Sequence, residues 1–314
     1  MSKSENLISD ILRLKKEKKA IILAHYYQRA EIQEIADYLG DSLALSQRAA
    51  NTDAEVIVFA GVNFMAETAK ILNPHKIVVI PDNQAHCSLA DSCPIDKFEN
   101  FVNQYPDRTV ISYINCSTEV KALSDIICTS SNAVQIVESL PSNEKIIFAP
   151  DKNLGNYVQK KTGKDILIWD GACHVHELFS VEKTIQLKIE NPDAALIVHP
   201  ECKGPLVTAA DFVGSTAALL EFTKKSDYKK FIVGTENGII HQMKKFSPEK
   251  IFIEASGNEN CNCSDCEYMK LTTLDKIYKS LLNLEPQIHL EENIRSKAEK
   301  PIRRMLEISE KLGL

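Results

Sequence analysis

The chain reads as an α/β protein: three homologous three-layer αβα units with short parallel sheets, set with pseudo-threefold character around a shared central site. Three observations predict this. Landmarks repeat, since His25 to Ser42, Tyr113 to Ser130 and His199 to Thr216 each span 17 positions, and successive copies are offset by 88 and 86 residues. A period of that size dictates architecture. The apolar runs are short and continuous, as in Val56-Ile-Val-Phe59 and Ile77-Val-Val-Ile80, which suits parallel strands buried on both faces. These runs alternate with segments of helical periodicity, the signature of right-handed βαβ crossovers.

Each copy is read as strand, loop, helix, short strand, helix, strand, helix, strand. In the first, Ile21-Ile-Leu-Ala24 leads, and Ile32, Ile35, Ala36 and Leu39 recur at helical spacing before a stop at Gly40. Asp41 and Ser42 offer side-chain oxygens at the next helix start. The second copy leads with Thr109-Val-Ile-Ser-Tyr-Ile114 and closes with Lys145-Ile-Ile-Phe-Ala-Pro150 and Asp165-Ile-Leu-Ile-Trp169. The third leads with Ala195-Leu-Ile-Val-His-Pro200 and closes with Phe231-Ile-Val-Gly234 and Lys250-Ile-Phe-Ile-Glu254, its final run ending around Ser256. The units are drawn at 1–86, 87–172 and 173–289. A helical tail, 290–314, broken at Pro301, is read as a strap returning to the first unit. The single Trp169 is read as core packing.

Composition narrows the function. Of 314 residues 44% are apolar and 25% charged, as in an ordinary globular protein, and the net charge of −6 with no basic run interleaved with aromatics argues against nucleic acid. No apolar stretch is long enough to span a bilayer, and the first residues lack the apolar segment of a signal peptide. A cytoplasmic location is therefore the expectation. Nine cysteines, an odd number, fit metal or redox chemistry better than a disulfide framework there.

Ligands of parallel sheets gather beyond the carboxyl ends of the strands. His25, Tyr26, Tyr27, Tyr113, Asn115, His199 and Glu201 lie at or just past such ends. Ser42, Thr129-Ser130 and Ser215-Thr216 place hydroxyls at helix starts, where free N–H groups and the helix dipole favour anions. Three such starts facing one cavity suit a substrate with several anionic groups, carboxylates or phosphate.

The cysteines sort by the same repeat. Cys87 and Cys173 follow the closing strands of copies one and two, and the third copy offers Cys261, Cys263 and Cys266. One thiol per unit is the shape of a three-cysteine iron–sulfur centre, which on a four-iron cluster leaves one iron open as a Lewis acid. Cys93, six residues after Cys87, ranks second as a ligand because it breaks the one-per-unit pattern. Cys116, Cys128 and Cys202 read as small buried hydrophobes. Structural zinc is the alternative for the terminal cluster, although the second spaced pair it normally needs is not evident.

These residues resemble the quinolinate synthase family over nearly the whole length. The resemblance rests on Ala24-His-Tyr-Tyr-Gln28, Gly40-Asp-Ser42, Cys87-Ser-Leu-Ala-Asp91, Tyr113-Ile-Asn-Cys-Ser117, Val120-Lys-Ala122 and Cys128-Thr-Ser-Ser-Asn-Ala133. It continues through His199-Pro-Glu201, Gly234-Thr-Glu236 and Cys266-Glu-Tyr-Met-Lys270. It implies a [4Fe–4S] cluster held by Cys87, Cys173 and Cys266, with Tyr27 as acid–base tyrosine, Glu201 as catalytic carboxylate and His199 beside it. It further implies that His25, Ser42, Tyr113, Asn115, Ser130, His176, Ser215 and Thr216 hold carboxylates or phosphate. The implied reaction condenses iminoaspartate with dihydroxyacetone phosphate to quinolinate, phosphate and water, the imine coming from an L-aspartate oxidase in possible transient contact. Some members carry Cys-x-x-Cys-x-x-Cys at the third ligand, with an earlier pair able to form a regulatory disulfide. Here the spacing is Cys261-x-Cys263-x-x-Cys266, and Cys266 keeps its Met-Lys context. Two other readings stand beside this one: a hydro-lyase of small carboxylates using a similar open iron, and a non-enzymatic cluster- or zinc-holding redox sensor.

Overall fold

The computed structural model describes residues 3–255 and 264–314, with side chains from residue 5; Ser256, Cys261 and Cys263 lie outside the described residues. Among the described residues, twelve strands form three four-stranded sheets, all parallel. The first holds β1 (Ala20–His25), β2 (Tyr38–Gly40), β3 (Val56–Ala60) and β4 (Ile77–Val79), in the order β2-β1-β3-β4. The second repeats that order with β5 (Thr109–Tyr113), β6 (Ile126–Cys128), β7 (Ile146–Ala149) and β8 (Ile166–Ile168). The third does so with β9 (Ala195–Val198), β10 (Phe212–Val213), β11 (Lys230–Gly234) and β12 (Ile251–Glu254).

Alternate residues of each strand enter different cores, which is why the runs are continuously apolar. Ile21, Leu23, Ile57 and Phe59 face one way, and Ile22, Ala24, Val58 and Ala60 the other. The first of these faces shares its core with Ile111, Ile126, Ile146 and Phe148 of the second sheet, so units one and two are fused by a common interior. The third sheet packs its two faces separately, with Ile197 and Phe231 on one side and Leu196, Val198 and Ile232 on the other.

One aspartate sets the short strand of each unit. Asp37, Asp125 and Asp211 each accept from a backbone N–H of the neighbouring long strand, that of Ile22 (2.8 Å), Val110 (2.8 Å) and Leu196 (2.7 Å). The backbone N–H of each aspartate returns the bond to the same residue's carbonyl. This turn corrects one sequence expectation. The helix after β1 runs only over Ala30–Ile35, and Leu39 lies in β2, because the Asp37 turn ends the helix and starts a strand.

The tail differs in two ways from its sequence reading. The helix Glu292–Leu312 continues through Pro301 without a break. Its apolar face (Ala298, Ile302 and Met305, all fully buried) lies on both sides of the proline and offsets the lost hydrogen bond. It packs against the helices Thr118–Ala122 and Ala133–Glu138 and β6 of the second unit, as well as Asn63–Leu72 of the first. The helix Leu274–Asn283 returns to the first sheet beside the N-terminal helix Lys3–Glu17, where Ile277 and Leu281 meet Ile11 and Leu14. The segment behind it covers the β4 edge, with Ile288 N–H donating to the Val78 carbonyl at 2.9 Å, a common way to block edge pairing. No helix among the described residues is long and apolar enough to cross a membrane.

Candidate active site

The carboxyl ends of the three sheets open on one cavity, about 660 Å³ with the space at its mouth that is open to solvent, lined from all three units. β1 delivers His25 and, in the turn that follows, Tyr27; β5 delivers Tyr113 and Asn115; β9 leads to His199 and Glu201. Tyr27 N–H donates to His25 Nδ1 at 3.2 Å and the two rings meet edge to face at 4.4 Å, so the turn fixes both. The Tyr27 hydroxyl sits between Thr216 Oγ1 (2.8 Å) and Thr235 Oγ1 (2.7 Å) of the third unit. Burial raises the Tyr27 phenol well above its ordinary range, and the two threonine contacts only partly oppose this, so it holds its proton.

Glu201 is the electrostatic centre of the cavity and is 3% exposed. Tyr113 donates its hydroxyl proton to Oε1 at 2.6 Å, His176 Nδ1 lies 3.1 Å from Oε2, and His199 Nδ1 lies 3.6 Å from Oε1. The His176 and His199 rings stack at 5.0 Å. Burial works against an ionised Glu201, yet the two imidazoles and the tyrosine outweigh it and hold the carboxyl below the usual carboxylate range. Burial pushes His25 and His199 down to about 3, so both are neutral at neutral pH. Tyr113 is pushed well up, by burial first and then by the Glu201 charge, which keeps it a donor. The result is a buried carboxylate that accepts from Tyr113, with neutral His25 and His199 close by.

Cys87, Cys173 and Cys266, the thiols that follow the closing strands of the first, second and third sheets, line the same cavity. Burial is the main cause raising all three thiols, Cys87 to about 12, Cys266 to about 11, and Cys173 well above the ordinary thiol range. The Glu201 charge and the other two cysteines add to the rise at Cys173. The backbone opposes this at each sulfur: N–H groups of Leu89 and Ala90 face Cys87, that of His176 faces Cys173, and those of Tyr268 and Met269 face Cys266. Such donors stabilise thiolate, and a bound cation would complete the deprotonation. Three soft sulfur donors, one behind each sheet, on the wall of one cavity fit an iron–sulfur centre. Ligand atoms of Cys173, His176 and Glu201 lie within 4.8 Å of one another, so the thiol wall adjoins the carboxylate.

A sequence model of the family described as Quinolinate synthetase A protein matches residues 9–307. The chain belongs to the quinolinate synthase family. It is 60% identical over 304 residues to the quinolinate synthase of Synechocystis sp., covering 97% of this chain and 96% of that protein. The quinolinate synthases of Microcystis aeruginosa (58% over 305 residues; 97% and 96% covered) and Chloroherpeton thalassium (57% over 305 residues; 97% and 95%) are similar over the same span.

Of the residues that the resemblance to quinolinate synthase marks, His25, Tyr27, Ser42, Tyr113, Asn115, Ser130, His176, His199, Glu201, Thr216 and the three cysteines all line the cavity. Asn115 Oδ1 is buried there without a partner among the described residues, a polar atom left for a ligand. Ser215 is absent from the lining: it is the N-cap of the helix Thr216–Lys225, its Oγ accepting from Ala218 N–H at 3.3 Å. Cys93 lies in a separate apolar cluster with Cys116 and Trp169, away from the cavity. Cys116, Cys128 and Cys202 are fully buried. Nothing in the sequence reading gave a role to Thr235, which meets both Tyr27 and His176 Nε2 (3.2 Å), nor to Glu236 or Met269, which line the cavity. Glu236 stands in the quoted motif Gly234-Thr-Glu236, which was the available signal.

Proposed function

We propose that this chain condenses iminoaspartate with dihydroxyacetone phosphate to form quinolinate, phosphate and water. The observation that carries the reading is the convergence, on one cavity, of the thiols that follow the three sheets' closing strands with Tyr27, Tyr113 and Glu201. Family membership supports it.

Cys87, Cys173 and Cys266 would hold a [4Fe–4S] cluster through sulfur. When bound, such a cluster with one iron free of protein ligands supplies Lewis acidity that draws electrons from a substrate oxygen and eases its loss as water. The chain's own residues do the rest. Tyr27 holds a proton at its hydroxyl, in the orientation set by Thr216 and Thr235, and can give it to a leaving oxygen. Glu201, ionised and close to two imidazoles, accepts a proton from a substrate carbon or nitrogen, with Tyr113 donating to its Oε1. His199 and His176 steady that charge. His25, Ser42, Asn115, Ser130 and Thr216 present neutral polar groups to carboxylates and phosphate, and Ser215 fixes the helix start that carries Thr216.

The test is to supply anaerobically prepared protein with dihydroxyacetone phosphate and a source of iminoaspartate, and measure quinolinate and phosphate together. Both are expected in equal amounts, and Tyr27→Phe should abolish both while retaining iron. Turnover of a hydroxy acid without phosphate release would favour the hydro-lyase instead, and zinc in place of iron would favour the sensor.

A further inference from the structure

Two motif residues have no part in the chemistry above: Glu236 of Gly234-Thr-Glu236 and Lys270 of Cys266-Glu-Tyr-Met-Lys270. They form an ion pair, Lys270 Nζ to Glu236 Oε1 at 2.7 Å, with Glu236 only 1% exposed. Both partners hold backbone as well. Glu236 accepts from Gly238 N–H at 2.7 Å and from Cys266 N–H at 3.3 Å. Lys270 donates to the Tyr27 carbonyl at 2.7 Å. The same loops are tied twice more, by Gln28 Nε2 to the Met269 carbonyl (2.8 Å) and Arg29 Nε to the Lys270 carbonyl (3.0 Å). At Gly238 even a Cβ would lie 2.8 Å from the Tyr27 backbone, so the third unit presses directly on the first here.

We propose that Glu236 and Lys270 are positioning residues, a strut that fixes the Tyr27 turn of the first unit against the Cys266 loop of the third. A buried ion pair adds little net stability over an apolar pair of similar size, and its best-attested use is to specify one arrangement. Here that arrangement links a proposed metal ligand to the proposed proton donor, from the Cys266 N–H through the ion pair to the Tyr27 carbonyl. The assignment of roles to Tyr27 and Cys266 rests on the function proposed above; the mechanical link does not.

The test uses Lys270→Met, Glu236→Gln and the double variant, which leaves neither charge unpaired if a single variant folds poorly. In protein purified anaerobically, hydrogen–deuterium exchange of segments 25–29 and 266–271 should rise together by about 10-fold in Lys270→Met, with β5 and β7 unchanged. In the same preparations kcat should fall by about 100-fold with KM and iron content little changed, as misplacement of a reacting group predicts. The double variant should be no worse than Lys270→Met, because the pair acts as one unit. Exchange rising at 266–271 alone, an unchanged kcat, or additive losses would each overturn the strut. If wild-type protein makes no quinolinate, the proposed function fails instead, and the exchange result still decides the link.

Discussion

Glu201 concentrates most of what the site can do in one side chain, because it sets a negative charge among the neutral imidazoles and phenols at the strand ends. Glu201→Gln removes the proton acceptor with little change in size, so kcat should fall by about 10²- to 10⁴-fold with iron content unchanged; quinolinate assay and iron analysis check this. His25 and His199 make a different prediction. Each is lowered from 6.5 to about 3 in the folded chain, so between those values the unfolded chain binds more protons. Their contribution to stability is complete above pH 6.5 and is lost as pH falls toward 3, at up to about 1.4 kcal/mol per pH unit for each group. Urea midpoints of the metal-free protein should therefore fall from pH 7 to pH 5, and His199→Asn should flatten that slope. The strand-end residues were legible because the repeat marks them three times over. Thr235 was not, since its partners Tyr27 and His176 lie far from it along the chain and only the assembled cavity joins them.

At the level of elements, the long central strands could be read almost to the residue, because strands buried on both faces must be continuously apolar. The short second strand of each unit could not be placed in the same way. β2 and β10 hold three and two residues, and the bonds of Asp37 and Asp211 to the adjacent strand, rather than their own hydrophobicity, place them. Those aspartates recur at the 88- and 86-residue offsets of the other landmarks, a signal present in the chain that carried no role there. The helix Glu292–Leu312 was misjudged at Pro301 because the local penalty of proline is visible in sequence, whereas the core its face enters is not. Ile302, fully buried in that core, gives the measurement: Ile302→Ala should cost about 2–5 kcal/mol in urea unfolding, against well under about 1 kcal/mol for a change at exposed Arg303.

Across the whole molecule, three copies of one strand order bring their carboxyl ends to a single cavity, and the thiol that follows the last strand of each copy lies on its wall. The copies have diverged in how they pack: the sheets of the first two share a core, while the third sheet keeps its own cores and meets the first unit around Tyr26 and Tyr27 through apolar packing and polar contacts together. Sequence offsets reveal the triplication but not this asymmetry, which depends on interfaces between units. We propose that the thiols following the closing strands of all three sheets hold one iron–sulfur centre. Iron and acid-labile sulfide per chain, measured on anaerobically prepared wild type and on Cys87→Ala, Cys173→Ala, Cys266→Ala and Cys93→Ala, tests it most directly. About four of each are expected in wild type and Cys93→Ala and nearly none in the other three; iron retained in any of those three, or lost with Cys93, would contradict it.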